Sequence, residues 1–169
     1  MKNIIGISLL FFLFACQSGN RPKDFGLEMD YLECYLTNEV AACEVKPKKE
    51  ENQLLVIKFK VKNIATQLKN LPFSLVMIKR NGIFYTLEYA LIIPREVPEW
   101  NTTEPIMPLT SREQHYIYEI PKDIKDEIYV IPCFTIEYNI SQKGVNAKDV
   151  DLENSYHISL GKASDIPKK

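Results

Sequence analysis

The sequence is poor in the residues on which most catalytic and cofactor chemistry rests. It has two histidines, one tryptophan and six glycines in 169 residues. His115 and His157 are far apart, and there is no CxxC or HxxxH spacing, so a zinc signature is absent. The glycines are scattered singly, so no glycine-rich loop can cradle a phosphate. "DVDLEN" places Asp149, Asp151 and Glu153 in a polar loop, but without the glycine and the terminal glutamate spacing of an EF-hand. A nucleophile, a base and an orienting group at useful spacing are also missing. Each histidine stands beside a tyrosine in an alternating run, opposite its aromatic neighbours, and Cys133 has the apolar flanks that make a thiol inert. The expectation is a protein that is not an enzyme, with no catalytic residues, no metal ligands and no cofactor.

Excess charge of one sign is lacking too. Lysine and arginine total 21 against 22 acids, for a net charge of -1, so the basic footprint of a nucleic-acid partner is absent. Basic and acidic clusters such as "KPKKEEN" and the closing "PKK" read as solvated loops and a tail. The sequons at Asn101 and Asn139 read as chance matches. A membrane-spanning run of about 20 apolar residues is missing as well. The longest candidate is Ile4 to Ala15, twelve residues interrupted only by Gly6 and Ser8. Behind the positive Lys2 and ending on the small Ala15, it has the form of a signal-peptide apolar region.

Leu13-Phe14-Ala15-Cys16 resembles the lipobox of bacterial lipoproteins, with Phe14 standing where that pattern favours a smaller residue. The resemblance implies cleavage before Cys16, diacylation of its sulfur and acylation of the new amine, commonly with palmitate. Cysteine is required because its thiolate is the nucleophile that takes the lipid. Two or three acyl chains hold a protein stably where one does not. The implied partner is a membrane, reached through the N-terminal lipid. The implied location is the cell envelope, with the outer membrane favoured over the inner or plasma membrane because Gln17 and Ser18 follow the cysteine in place of aspartate.

This reading divides the chain into a signal peptide (1–15), a lipidated polar tether (16–26), a folded domain (27–161) and a C-terminal tail (162–169). Setting Cys16 aside leaves Cys34, Cys43 and Cys133. Cys34 and Cys43 enclose the eight residues "YLTNEVAA", the size of a strand-turn loop, and are expected to form a disulfide, leaving Cys133 a buried thiol. The other pairing joins Cys133 to one of the first two.

Within the domain, period two dominates. In "LLVIKFKVKN", Leu55, Ile57, Phe59 and Val61 share one face and Lys58, Lys60 and Lys62 the other. Asn81-Gly82 between two β-prone runs is a strong hairpin signal. "HYIYEI" alternates, "EIYVIPCFTIEY" reads as a long strand with Pro132 at an open edge or a bulge, and "SYHISL" as the last strand. In "GLEMDYLECYL" the apolar parity shifts between Tyr31 and Leu32, as one inserted bulge residue would cause. "IPREVPEWNTTEPIMP", with four prolines and the sole tryptophan, reads as an irregular crossing. "PKDIKDE" reads as a single helical turn.

About seven to nine short strands with frequent turns predict an all-β chain, an antiparallel β-sandwich. "IKFKVKN", "NGIFYTLE" and "MPLTSREQHYIYEIPKD" followed by "IYVIP" resemble the telokin-like, immunoglobulin-like domains of many bacterial lipoproteins, with Thr110, Ser111 and Arg112 where that family usually has a turn glycine. The resemblance implies an Ig-like sandwich and an envelope location, without a common activity. Exposed aromatics are the remaining functional signal. Trp100, Tyr85 and Tyr116 are the candidate binding surface, Trp100 foremost because it lies on a loop. The functional expectation is a lipid-anchored, non-catalytic binding or assembly module with a protein partner in the envelope. The alternative is an envelope hydrolase, or an inhibitor of a secreted enzyme, using the proline-rich crossing loop.

Overall fold

A computed structural model of the chain describes residues 17–18, 26–71, 74–80, 83–87, 89–94, 96–132 and 157–169. The expected signal peptide, Cys16, most of the expected tether, Asn81-Gly82, Cys133 and the "DVDLEN" acids lie outside these residues. The described strands are β1 (Gln17–Ser18), β2 (Leu27–Thr37), β3 (Asn52–Asn63), β4 (Ser74–Arg80), β5 (Ile83–Thr86), β6 (Ala90–Ile92), β7 (Ser111–Pro121), β8 (Glu127–Pro132) and β9 (His157–Lys162). Two antiparallel sheets result, one in the order β2-β3-β7-β6 and the other β1-β9-β8-β4-β5. Among the described residues, helix is confined to two 3-10 turns, Ala41–Cys43 and Pro98–Trp100.

β3 is an inner strand of the first sheet, and its inward apolar residues recur at every second position. Leu55, Ile57, Phe59 and Val61 are all 0 % exposed, each contributing roughly 1.5–3 kcal/mol of gross burial. They face Val76, Ile128, Val130 and Ile158 of the other sheet in one continuous core. β7 pairs with β3 without a break from Asn52–Pro121 to Lys62–Ser111, which sends Tyr116, Tyr118 and Ile120 into the same core. There Phe59 meets the Tyr116 ring edge-on at 5.6 Å, and the Tyr118 hydroxyl donates to the Ser74 carbonyl at 3.2 Å, linking the two sheets.

The parity shift in β2 has the expected cause. Tyr31 pairs with Phe59 and Glu33 with Lys58, which leaves Leu32 as the bulged residue. Leu27 and Met29 point inward before the bulge, Cys34 and Leu36 after it, and Leu32 itself is exposed. β4 and β5 pair antiparallel up to Arg80 and Ile83, on either side of Asn81-Gly82. A second register shift separates Ile128 from Tyr129 in β8; opposite it Gly161 adopts φ 81°, a left-handed conformation that glycine takes freely.

Two local readings change, and one strand appears that the sequence pattern did not mark. "PKDIKDE" is the turn from β7 to β8 rather than a helix, because Pro121 completes the β7 ladder and Glu127 opens β8. The short strand β6 had no period to reveal it, and exists by pairing with β7. Residues 162–169 are folded against the sandwich. Ala163 and Ile166 are buried in the core, the Leu36 amide donates to the Pro167 carbonyl at 2.8 Å, and the Lys169 amide to the Leu36 carbonyl at 2.9 Å. This parallel bridge covers part of the β2 edge, which would otherwise present unpaired backbone groups.

Candidate functional site

The outward face of the β2-β3-β7-β6 sheet falls into two halves. Toward the Gly26 end it is charged. Glu28 pairs across the ladder with Lys62, Asp30 with Lys60 and Glu33 with Lys58. Lys58 Nζ lies 2.6 Å from the Glu113 carboxylate, a bond that raises the ammonium pKa and lowers that of the acid. Such exposed pairs contribute little individually, and the lysine stripe is a wet face as its alternation predicts.

The other half is apolar and covered. Leu54, Val56 and Ile117 project outward but are buried with Val40 and Trp100, and Tyr35, Cys43, Val45, Ile92 and Val97 pack around them. Two loops supply the cover, residues 38–51 and the proline-rich crossing. The crossing delivers Trp100 on its 3-10 turn, where the Trp100 amide donates to the Val97 carbonyl at 2.9 Å. The indole stacks on His115 at 4.1 Å between centroids and 13° from parallel. Gln114 Nε2 donates to the Glu99 carbonyl at 2.9 Å, and Asn101 Oδ1 accepts from the Thr103 amide and hydroxyl, so the turn is tied at both ends. Burial lowers the His115 pKa, and its buried Nδ1 has no hydrogen-bond partner.

At the far end of this face, Glu119 holds the 38–51 loop. One carboxylate oxygen accepts from the Lys48 amide at 2.9 Å, the Lys49 amide at 3.1 Å and Asn52 Nδ2 at 3.0 Å. Burial alone would raise the Glu119 pKa, but these donors outweigh it and the net shift is downward. Beside it lies an open cleft of about 610 Å³ lined by Lys48, Asn52, Tyr89, Glu119 and Lys122 among others. Lysines and carboxylates alternate around it, so it carries no field of one sign. Among the described residues, no group of three His, Cys, Asp or Glu side chains is placed to hold a metal ion.

The sequence-predicted residues do not come together. Tyr116 is 0 % exposed at the centre of the core, so it cannot belong to a binding surface; alternation put it on one face of its strand, and that face is the inner one. Trp100 is 8 % exposed, its indole buried over Leu54, Val56 and Ile117. Tyr85 alone of the three is exposed, on the edge strand β5. The expected Cys34–Cys43 disulfide is replaced by two free thiols. Cys34 points into the inter-sheet core opposite Ile57, whereas Cys43 packs on the outer cluster, so the sheet itself separates them. Burial raises both thiol pKa values.

The role of Trp100 was legible only in part. Leu54, Val56 and Ile117 break the polar parity of the outer face, a sign that something covers them, but nothing local names the cover. The described residues present a covered apolar patch, a charged stripe, a mixed cleft and two loop ends.

The chain matches no protein-family model and no curated protein. Among solved structures it is similar to a candidate lipoprotein from Staphylococcus aureus subsp. aureus NCTC 8325, 15 % identical, with a TM-score of 0.51 over 86 % of this chain and 89 % of that one. At that identity the likeness is one of fold.

Proposed function

We propose that this protein is a lipid-anchored component of the bacterial cell envelope whose Ig-like sandwich serves as a non-catalytic binding or assembly module. The observation that carries the reading is the lipobox-like Leu13-Phe14-Ala15-Cys16, which ends the apolar run and precedes a polar segment leading into the sandwich. The fold likeness to a candidate lipoprotein adds support. Diacylated Cys16 is the anchor. The outer membrane is its site where the organism has one, since Gln17 and Ser18 follow the cysteine.

The Ig-like and telokin-like assignment draws support from strand order. With β2, β3, β4, β6, β7, β8 and β9 taken as A to G, the sheets read ABED and GFC, with β5 beside C, the order of immunoglobulin-type sandwiches. The hydrolase or inhibitor alternative relied on the crossing loop. That loop carries Trp100 into the cover over Leu54, Val56 and Ile117, which supports a structural role for its tryptophan.

Labelling growing cells with an alkyne fatty acid tests the anchor: the parent chain takes the label and Cys16→Ser does not, whereas equal labelling of both would refute the reading. Crosslinking in intact cells followed by pull-down tests the binding role. The expected result is a reproducible envelope protein recovered with the parent and lost when the domain surface is altered; recovery of nothing beyond background would sink it.

A further inference from the structure

Six large hydrophobic side chains are exposed among the described residues: Leu32, Ile64, Leu68, Tyr85, Met107 and Leu109. Leu32 is the β2 bulge and Tyr85 lies on an edge strand. The other four occupy two loops at a single end of the sandwich, where β2 begins, β3 ends and β7 begins. Leu68, Met107 and Leu109 are 56 %, 61 % and 69 % exposed. The opposite end, where β7 turns into β8, presents Lys122, Asp123, Lys125 and Asp126 instead.

The apolar end is built rigidly. Lys69 and Ile106 exchange backbone hydrogen bonds of 3.2 and 2.8 Å, and this antiparallel bridge sets Leu68 opposite Met107. Buried Asn63 donates through Nδ2 to the carbonyls of Gln67 at 2.8 Å and Ile106 at 2.9 Å, so both loops hang from one amide. Leu109 adopts φ 57°, a left-handed conformation that a bulky side chain rarely takes. It is held there by the Met107 carbonyl, which accepts from the Thr110 amide and hydroxyl. A glycine or asparagine would fit that backbone without cost, yet the position displays a leucine to solvent. Strain of this kind persists where it has a use.

The same end receives the chain from Cys16. Gly26, ten residues after that cysteine, accepts from the Ile64 amide at 2.9 Å. A side chain on Gly26 would lie 2.7 Å from the Ala65 Cβ, so the arriving backbone runs directly against the loop that bears Ile64 and Leu68. Ser18 pairs with His157, the first residue of β9, at this end as well. Ten extended residues reach at most about 36 Å, which keeps the apolar loops within reach of any bilayer that holds Cys16.

We infer that Ile64, Leu68, Met107 and Leu109 form a membrane-docking tip, so that the sandwich rests on the bilayer with its Gly26 end down and its charged end outward. The occupant is the acyl-headgroup boundary of a phospholipid surface. The patch is apolar and small, as a shallow interfacial contact requires, and the Lys69 side chain lies against Gly26 at the same end, where its ammonium group can meet phosphates. The inference rests on the anchoring reading above, because the anchor is what makes so small a patch sufficient.

The test uses the full lipidated protein in phospholipid vesicles, with Leu68→Trp and Met107→Trp compared against the parent. The parent's sole tryptophan, Trp100, is buried on the outer sheet face and serves as reference. Vesicles with brominated acyl chains should quench the added tryptophan at least about two-fold while leaving Trp100 nearly unchanged, the behaviour of a side chain at the acyl boundary. Equal, weak quenching in variants and parent would overturn the docking, as would a patch occluded in a dimer that persists on vesicles. Mass measurement of the purified chain separates the two claims. An acylated chain with unquenched tryptophans overturns docking alone, whereas an unmodified Cys16 overturns the anchor and the docking with it.

Discussion

Trp100 lies flat on His115, ring centroids 4.1 Å apart, and so fastens the proline-rich crossing to the outward face of the β2-β3-β7-β6 sheet. The only tryptophan in the chain is therefore a structural cover, and its removal should be costly. We predict that Trp100→Ala destabilises the fold by about 3 kcal/mol, the usual range for emptying a buried aromatic site. Urea unfolding should show a lowered midpoint with little change in slope. A loss below about 0.5 kcal/mol, typical of surface changes, would contradict the buried placement.

The same stack gives a pH dependence. Burial holds the His115 pKa below the 6.5 of a free histidine, so the unfolded chain takes up the proton first. The stability from neutral His115 is complete above about pH 6.5, declines as pH falls from there toward the folded-state pKa, and levels off below it. His115→Phe should flatten the stability profile below about pH 6.5, where the unfolded-state histidine takes up its proton and the folded-state one has not yet done so. An unchanged slope in that variant would assign the dependence elsewhere.

Glu119 should behave in the opposite sense. Its folded-state pKa lies below the ordinary carboxyl value of 4.5, so its contribution is present above that pH and disappears as pH falls through the folded pKa. Glu119→Ala leaves the Lys48 and Lys49 amides and the Asn52 amide group without their acceptor. The cleft admits water to them, so the expected loss is about 1–2 kcal/mol. Hydrogen exchange should accelerate first at Lys48 and Lys49.

Gly26→Ala should be among the most damaging single-methyl additions. The position has φ 72°, and the new Cβ would come within 2.7 Å of the Ala65 Cβ. Left-handed strain costs of order 1–2 kcal/mol before the clash is counted. Gly161→Ala shares the backbone strain, φ 81°, but meets nothing within 4 Å, so it should be the milder of the two in a thermal melt.

The thiols give a direct chemical check. Cys43 is half-buried near the surface and Cys34 is in the core, so a thiol reagent should modify Cys43 first and Cys34 only on unfolding. Peptide mapping under non-reducing conditions should recover both without a link between them. A linked peptide would contradict their separation by the sheet.

Much of the fold can be read residue by residue. Alternation alone marks Leu55, Ile57, Phe59 and Val61 as a core face, because a strand has a fixed period of two and water sorts the two sides. The parity break at Leu32 announces a bulge for the same reason, and Asn81-Gly82 announces a hairpin through its backbone preferences. The lipobox-like stretch around Cys16 likewise speaks through local chemistry. Alternation cannot say which face of a strand another segment will cover, since that depends on where distant chain returns. Tyr116 and Trp100 are both aromatic and both suited to a surface, yet the second sheet buries one and the sandwich's outer side, together with its own loop, buries the other. Cys34 and Cys43 are close in sequence, but the loop after β2 folds back onto the opposite side of the sheet. The convergence of Ile64, Leu68, Met107 and Leu109 at the Gly26 end also depends on tertiary structure, because a single buried amide, Asn63, joins two loops some forty residues apart.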